Sequence, residues 1–239
     1  MKERPILFSA PMVRAILAGQ KTQTRRVVKF PRSRDSFVLI DRGNGWWPYQ
    51  SDDGETEICN DGCEHCYSSP YGQPGDRLWV KETWRHTASS LEDARAITED
   101  ITSGIAIDWR ATYIDKCIQH LGFTREDAEM VDDFEIWRPS IFMPRWASRI
   151  LLDVVSVRVE RLHDISEADA IAEGVSPLDG SEGPNAWGVS TNGIHLSAPT
   201  ARSCYALLWE SINGTGSWDA NPWVWVLEFK QIESQKGPK

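Results

Sequence analysis

Ser9-Ala10-Pro11-Met12-Val13-Arg14-Ala15-Ile16-Leu17-Ala18-Gly19 runs straight into Gln20-Lys21-Thr22-Gln23-Thr24-Arg25-Arg26-Val27-Val28-Lys29. In the first half Ser9 is placed to cap a helix, Pro11 fits its first turn, and Met12, Val13, Ile16 and Leu17 form one apolar stripe at helical spacing. Gly19 ends it. From Thr24 to Lys29 the pattern alternates and is β-branched at Val27 and Val28. That predicts a strand with Thr24, Arg26 and Val28 facing one way and Arg25 and Val27 the other. The unit is helix, loop, strand.

Working outward, Pro74-Gly75-Asp76 signals a turn, and Leu78–Arg85 reads as a strand with Leu78, Val80, Glu82 and Trp84 on one face. Glu82 therefore shares a face with apolar neighbours. Ile150–Leu162 is β-branched and alternating, and Ser166 with Asp169 caps a short helix ended by Gly174. Pro199–Asn213 is the last helix and Trp223–Ile232 the last strand. Residues 176–199 read as loop. Strands at the start, middle and end with helices between them predict an α+β fold, a mixed β-barrel or sheet closed by its two ends.

With 239 residues, 41% hydrophobic and 26% charged, the chain is sized for one core, 1–239. Two insertions interrupt it. Residues 41–75 are rich in Gly, Asp, Asn, Ser, Pro and Cys and read as a surface excursion. Residues 91–137 are strongly acidic and predict helices with polar outer faces, best over 124–137. No apolar run approaches the ~18 residues of a membrane span, and the amino terminus lacks the pattern of a secretory signal, so a cytoplasmic protein without membrane contact is expected.

The net charge of −9 argues against indiscriminate binding to a polyanion. Its distribution is uneven: residues 1–34 carry nine Lys or Arg against one acid, Glu3. Exposed charges are screened beyond about 8 Å at physiological salt, so a ligand at this segment feels the local patch. Arg25, Arg26 and Lys81 are the candidate contacts to nucleic acid or substrate. A solvated basic face pairing with the acidic middle is the alternative.

The loop after the first helix sets Lys21 beside Thr24. A desolvated lysine has a lowered pKa and can take a proton from a neighbouring hydroxyl, while a carboxylate among apolar side chains, as at Glu82, has a raised one suited to general acid work. Gly19-x-Lys21-x-x-Thr24-x-Arg26 resembles the ASCH domain signature, GxKxxExR. Asp76-Arg77-Leu78-Trp79-Val80-Lys81-Glu82-Thr83-Trp84 and Asn221-Pro222-Trp223-Val224-Trp225-Val226 resemble other stretches of phage and prophage members of that family. The resemblance implies a PUA-like β-barrel with a cleft for RNA or modified nucleotides. Thr24 stands where the common signature has Glu, which is the pattern of the family's bacterial amidohydrolase branch, acting on N-acetylated cytidine. The resemblance then implies Thr24 as nucleophile, Lys21 as its activator and Glu82 as the proton-shuttling or orienting group, with no cofactor needed for catalysis. A non-catalytic RNA or modified-nucleotide reader using the same cleft is the second expectation, and a structural role in a phage or host assembly a third.

Cys59-x-x-x-Cys63-x-x-Cys66 lies in the first insertion with His65 inside it. In a reducing compartment three such thiols suit tetrahedral zinc in a structural site, against the alternatives of plain thiols or the iron–sulfur spacing of radical S-adenosylmethionine enzymes. Of the twelve tryptophans, Trp46 and Trp47 fall in the same insertion, where exposed aromatics can stack on a base, whereas Trp209, Trp223 and Trp225 fall on apolar faces as core.

Overall fold

The chain is described from a computed structural model covering residues 1–29, 37–39, 47–51, 66–86, 107–121, 124–126, 129–130, 137–178, 186–191 and 194–232. Its strands are β1 (Glu3–Leu7), β2 (Gln23–Val27), β3 (Phe37–Leu39), β4 (Trp47–Ser51), β5 (Cys66–Tyr67), β6 (Arg77–Lys81), β7 (Trp84–His86), β8 (Ile107–Trp109), β9 (Leu151–Arg161), β10 (Ser176–Pro177), β11 (Trp187–Thr191), β12 (Ile194–Ala198) and β13 (Trp223–Ile232). The α-helices described in full are α1 (Ala10–Leu17), α2 (Arg110–Leu121), α3 (Glu167–Ala172) and α4 (Ala201–Asn213).

Five strands form the principal sheet in the order β1-β6-β9-β13-β2, with β1 parallel to β6 and the other pairs antiparallel. The fold is α+β, and the last strand does return to pair with β2 near the start of the chain. The expected barrel is not closed: among the described residues β1 and β2 are opposite edges. The reason lies in the short α1 between them, which drives Val13 and Ile16 into the core beside Ile6 and Phe8 instead of letting the two strands meet. A side chain spans that gap, Arg26 Nη2 donating to the Leu7 carbonyl at 2.6 Å.

Strand alternation on β13 divides the interior. Leu227 and Phe229 join Leu78, Val80, Leu152 and Val154 under α1. Val224 and Val226 face the other way, against Leu162, Ala170 of α3 and Ala201, Cys204, Tyr205 and Leu208 of α4. Opposite the step from Glu228 to Phe229, β9 carries an extra residue: Glu228 pairs with Ser156 and Phe229 with Val154. The skipped Val155 is exposed, and the inward positions of β9 pass from Leu152 and Val154 to Val157. Without the bulge, one half of this eleven-residue strand would turn its apolar side to water.

The described parts of the first insertion and of the stretch read as loop contain strands. Within 41–75, β4 pairs with β3 and with β5. In the acidic segment α2 has a buried face of Ala111, Tyr113 and Cys117, and residues 125–126 and 129–130 of the expected 124–137 stretch are helical. Residues 176–199 contain the antiparallel β10-β11-β12 sheet. Its Gly188 allows close packing: a Cβ there would lie 2.6 Å from Leu178 Cδ2. Among the described residues no helix is long and apolar enough to cross a membrane.

Leu152, fully buried at the centre of the sheet, sets a direct test of this packing. Leu152→Ala is expected to lower unfolding free energy by about 2–5 kcal/mol, through lost burial and an unfilled cavity, read as a fall in urea midpoint at constant slope.

Candidate functional site

The loop after α1 docks on the end of α3. Thr22 N–H donates to the Ala172 carbonyl at 2.9 Å, and Lys21 Nζ donates to the Glu173 carbonyl at 2.8 Å and to its carboxylate Oε2 at 2.6 Å. These contacts satisfy carbonyls left open at a helix terminus and put a cation where the helix dipole favours one. The turn depends on Gly174, whose φ of +103° stops α3 and whose hydrogen faces the side chains of Ala15 and Lys21. Lys21 is only 2% exposed. Burial pulls its pKa down, and the charge and hydrogen bond of Glu173 restore only part of the loss.

Glu173 also gathers Arg25 Nη1 at 3.4 Å and the Tyr205 hydroxyl at 3.3 Å on its Oε1. Burial and the Glu173 charge raise the Tyr205 pKa well above its ordinary value, so the phenol stays a donor. Arg25 continues the network through Gln23 at 2.6 Å and Glu160 at 2.5 Å. Arg158 closes it by pairing with Glu160, Asp169 and Glu228. Burial alone would raise the Asp169 pKa, but hydrogen bonds from Ser166 and Gln23 and the charge of Arg25 prevail and hold it at about 2.

The residues expected to act together are only partly brought together. Thr24 is buried on β2 near this network, but the carboxylate on Lys21 is Glu173 and not Glu82. Glu82 is held by both arms of Arg149, at 3.0 Å each, with the guanidinium 4.6 Å from the centre of the Trp109 ring. Its pKa is raised, burial outweighing Arg149, as expected of a carboxylate in an apolar setting. Its bonds tie β6 to the segment before β9.

Arg25 is corrected as a nucleic-acid contact: its side chain is fully buried among carboxylates and presents no charge to a phosphate. Arg26 is half-buried on the Leu7 carbonyl and stacks 5.3 Å from the Phe8 ring centre, and Lys81 reaches the Ile141 carbonyl over Trp79. Trp46, Cys59 and Cys63 lie outside the described residues. Trp47 and Cys66 are described only as backbone, in β4 and β5. Among the described residues no group of three metal-ligating side chains occurs.

Glu173 was not singled out by the sequence. The available signal was an acid directly before the helix-ending Gly174, where a surface acid is the ordinary reading.

Two cavities meet at Glu173. The larger, of about 320 Å³, lies between α1, the turn after α3 and the β11-β12 hairpin; the smaller, of about 60 Å³, follows the open edge of β2 past Thr24, Arg25 and Arg26 to Tyr205. Met12, Glu173 and Leu208 line both. Lys21 lines neither and lies sealed beneath Glu173. Geometrically this is a carboxylate shared by two cavities, backed by a buried amine, with a threonine in the smaller one. No family model matches the chain, and no curated protein or solved structure matches it.

The depressed pKa of Asp169 has a defined consequence for stability. Its folded value of about 2 lies below the ordinary 3.8, so its contribution is complete above about pH 4 and is lost as pH falls toward 2. Thermal melts across that range should show Asp169→Asn less stable than wild type at neutral pH and the gap narrowing toward pH 2; a constant gap contradicts this assignment.

Proposed function

We propose that the chain is an amidohydrolase acting on N-acylated cytidine or a related modified nucleoside, in a PUA-like setting and in the cytoplasm. The observation that supports this most is the buried Lys21–Glu173 pair at the junction of two cavities, with Thr24 lining the smaller one. Burial lowers the pKa of the amine, and its contact with a carboxylate sets a proton donor beside a proton acceptor, which general acid–base chemistry requires.

In this reading Thr24 Oγ1 bonds to the acyl carbon as its proton passes to the Glu173–Lys21 pair. The tetrahedral adduct then breaks its carbon–nitrogen bond, the exocyclic amine takes the proton back, and cytidine leaves. Water attacks the acyl-threonine, releases the carboxylic acid and regenerates the hydroxyl. Glu173 takes the role that sequence reasoning gave to Glu82. A non-catalytic reader of RNA or modified nucleotides is the second reading. It is favoured by one observation, that Lys21 has no hydrogen bond to Thr24 among the described residues and is fully engaged by Glu173.

Mass spectrometry of acetylated cytidine incubated with purified protein separates the two. Turnover is expected, with Thr24→Ser keeping part of it and Thr24→Val, nearly the same shape, losing about 10²-fold or more while its melting temperature is retained. Absence of turnover by folded wild type, or full turnover by Thr24→Val, rejects the hydrolase and leaves the reader.

Cys59, Cys63 and Cys66 are proposed to hold one structural zinc, which would supply folding energy to the insertion and no chemistry. Elemental analysis of protein purified without chelator should give one zinc per chain; a metal-free, folded protein rules the site out.

A further inference from the structure

Sequence and function leave the larger cavity without an assigned ligand group. Its deep end is Glu173, whose negative charge is met by Lys21 at 2.6 Å and Arg25 at 3.4 Å. Among the described residues the remaining charged or chargeable groups lining it are Arg14, on the α1 wall, and His195, on the hairpin wall. Both are exposed. Arg14 uses Nη1 for one bond, to the Ala111 carbonyl at 3.2 Å, and forms no ion pair among the described residues. His195 Nδ1 lies 3.3 Å from Ser190 Oγ. Thr191, also in the lining, adds a hydroxyl, 2% exposed as a residue, that has no hydrogen-bond partner among the described residues. A chain of net charge −9 thus has a cleft whose acid is already neutralised and whose rim carries a guanidinium and an imidazole.

We infer that this rim binds a phosphate and that the ligand of the cleft is a nucleoside monophosphate, Arg14 and His195 holding the phosphate across the two walls. Guanidinium geometry suits phosphate oxygens, and a volume of about 320 Å³ is at the lower end of small-molecule cavities, roughly 300–1,000 Å³, which fits one nucleotide and not a folded strand. The Thr191 hydroxyl, unpaired among the described residues, supplies a partner for a sugar hydroxyl. The choice of cytidine as the base rests on the function proposed above; the phosphate site does not.

The test is calorimetric titration of the full chain with cytidine and with cytidine 5′-monophosphate at two salt concentrations. The monophosphate is expected to bind about ten- to a hundredfold more tightly, as one or two charge-assisted bonds imply, with the advantage shrinking as salt rises. Arg14→Gln and His195→Gln should each remove most of that advantage while leaving cytidine affinity and melting temperature unchanged, and Arg14→Lys should restore part of it. Equal affinity for the two ligands, binding of neither, or an advantage that survives Arg14→Gln overturns the inference. Hydrolysis is scored separately, so turnover without phosphate preference rejects only the phosphate site, and phosphate preference without turnover rejects only the hydrolase.

Discussion

Lys21 and Glu173 stand 152 residues apart in the chain, and their contact fixes how the first third of the molecule meets the last. An amine and a carboxylate taken from water lose several kcal/mol of hydration each, and Coulomb attraction repays this only when the remaining donors and acceptors are also met. Here they are. Glu173 accepts from Lys21, Arg25 and Tyr205, and Lys21 donates in addition to a helix-end carbonyl. Removing one partner strands a buried charge, at a cost of about 3–5 kcal/mol. Such a pair contributes less to net stability than to uniqueness: α1, β2, α3 and α4 have one arrangement in which every member is satisfied.

Much of this scaffold is legible in the sequence because local chemistry and tertiary packing agree. Met12, Val13 and Ile16 read as an apolar stripe and pack as one, Ser166 and Asp169 cap α3 reciprocally, and Val224 to Phe229 alternate onto two cores. What was not legible has a common cause. Glu173, Glu160, Arg158 and Arg25 are charged residues whose local context is that of a solvated surface, and only the superposition of β2, β9 and α3 buries them against one another. Glu82 shows the converse. Its apolar face and raised pKa were readable, but its partner Arg149, 67 residues away, was not, and the partner decides what a buried carboxylate does.

The abundance of tryptophan has a related explanation. Trp79, Trp84, Trp109, Trp137, Trp218 and Trp223 each lie within cation–π range of Lys81, Arg138, Arg149, Arg85, Arg202 and Arg161 respectively. Reading tryptophans as core alone underrates this, since a guanidinium is weakly hydrated and stacks on an aromatic face while its edge still bonds carboxylates. Arg149 over Trp109 and Arg85 over Tyr113 do both, holding Glu82 and Asp108 beneath β7 and β8. These clusters hold charged groups in places that a purely apolar accounting would leave to hydrophobic side chains.

The open edge of β2 is what lets a single carboxylate serve both faces of the sheet. Thr24 pairs with Leu227 and shares its face, Arg25 pairs with Val226 and shares the other, and side chains directly opposite in an antiparallel pair point the same way. Groups on opposite faces of an interior strand are separated by the sheet itself. At an edge they are not, and Glu173, coming from the end of α3, meets Lys21 and Arg25 while lining the cavity that contains Thr24. A further strand paired to β2, as barrel closure demands, would cover the edge along which the smaller cavity runs past Thr24, Arg25 and Arg26. The unclosed sheet and the candidate site are therefore one structural fact, and α1, by keeping β1 and β2 apart, is the element that maintains it.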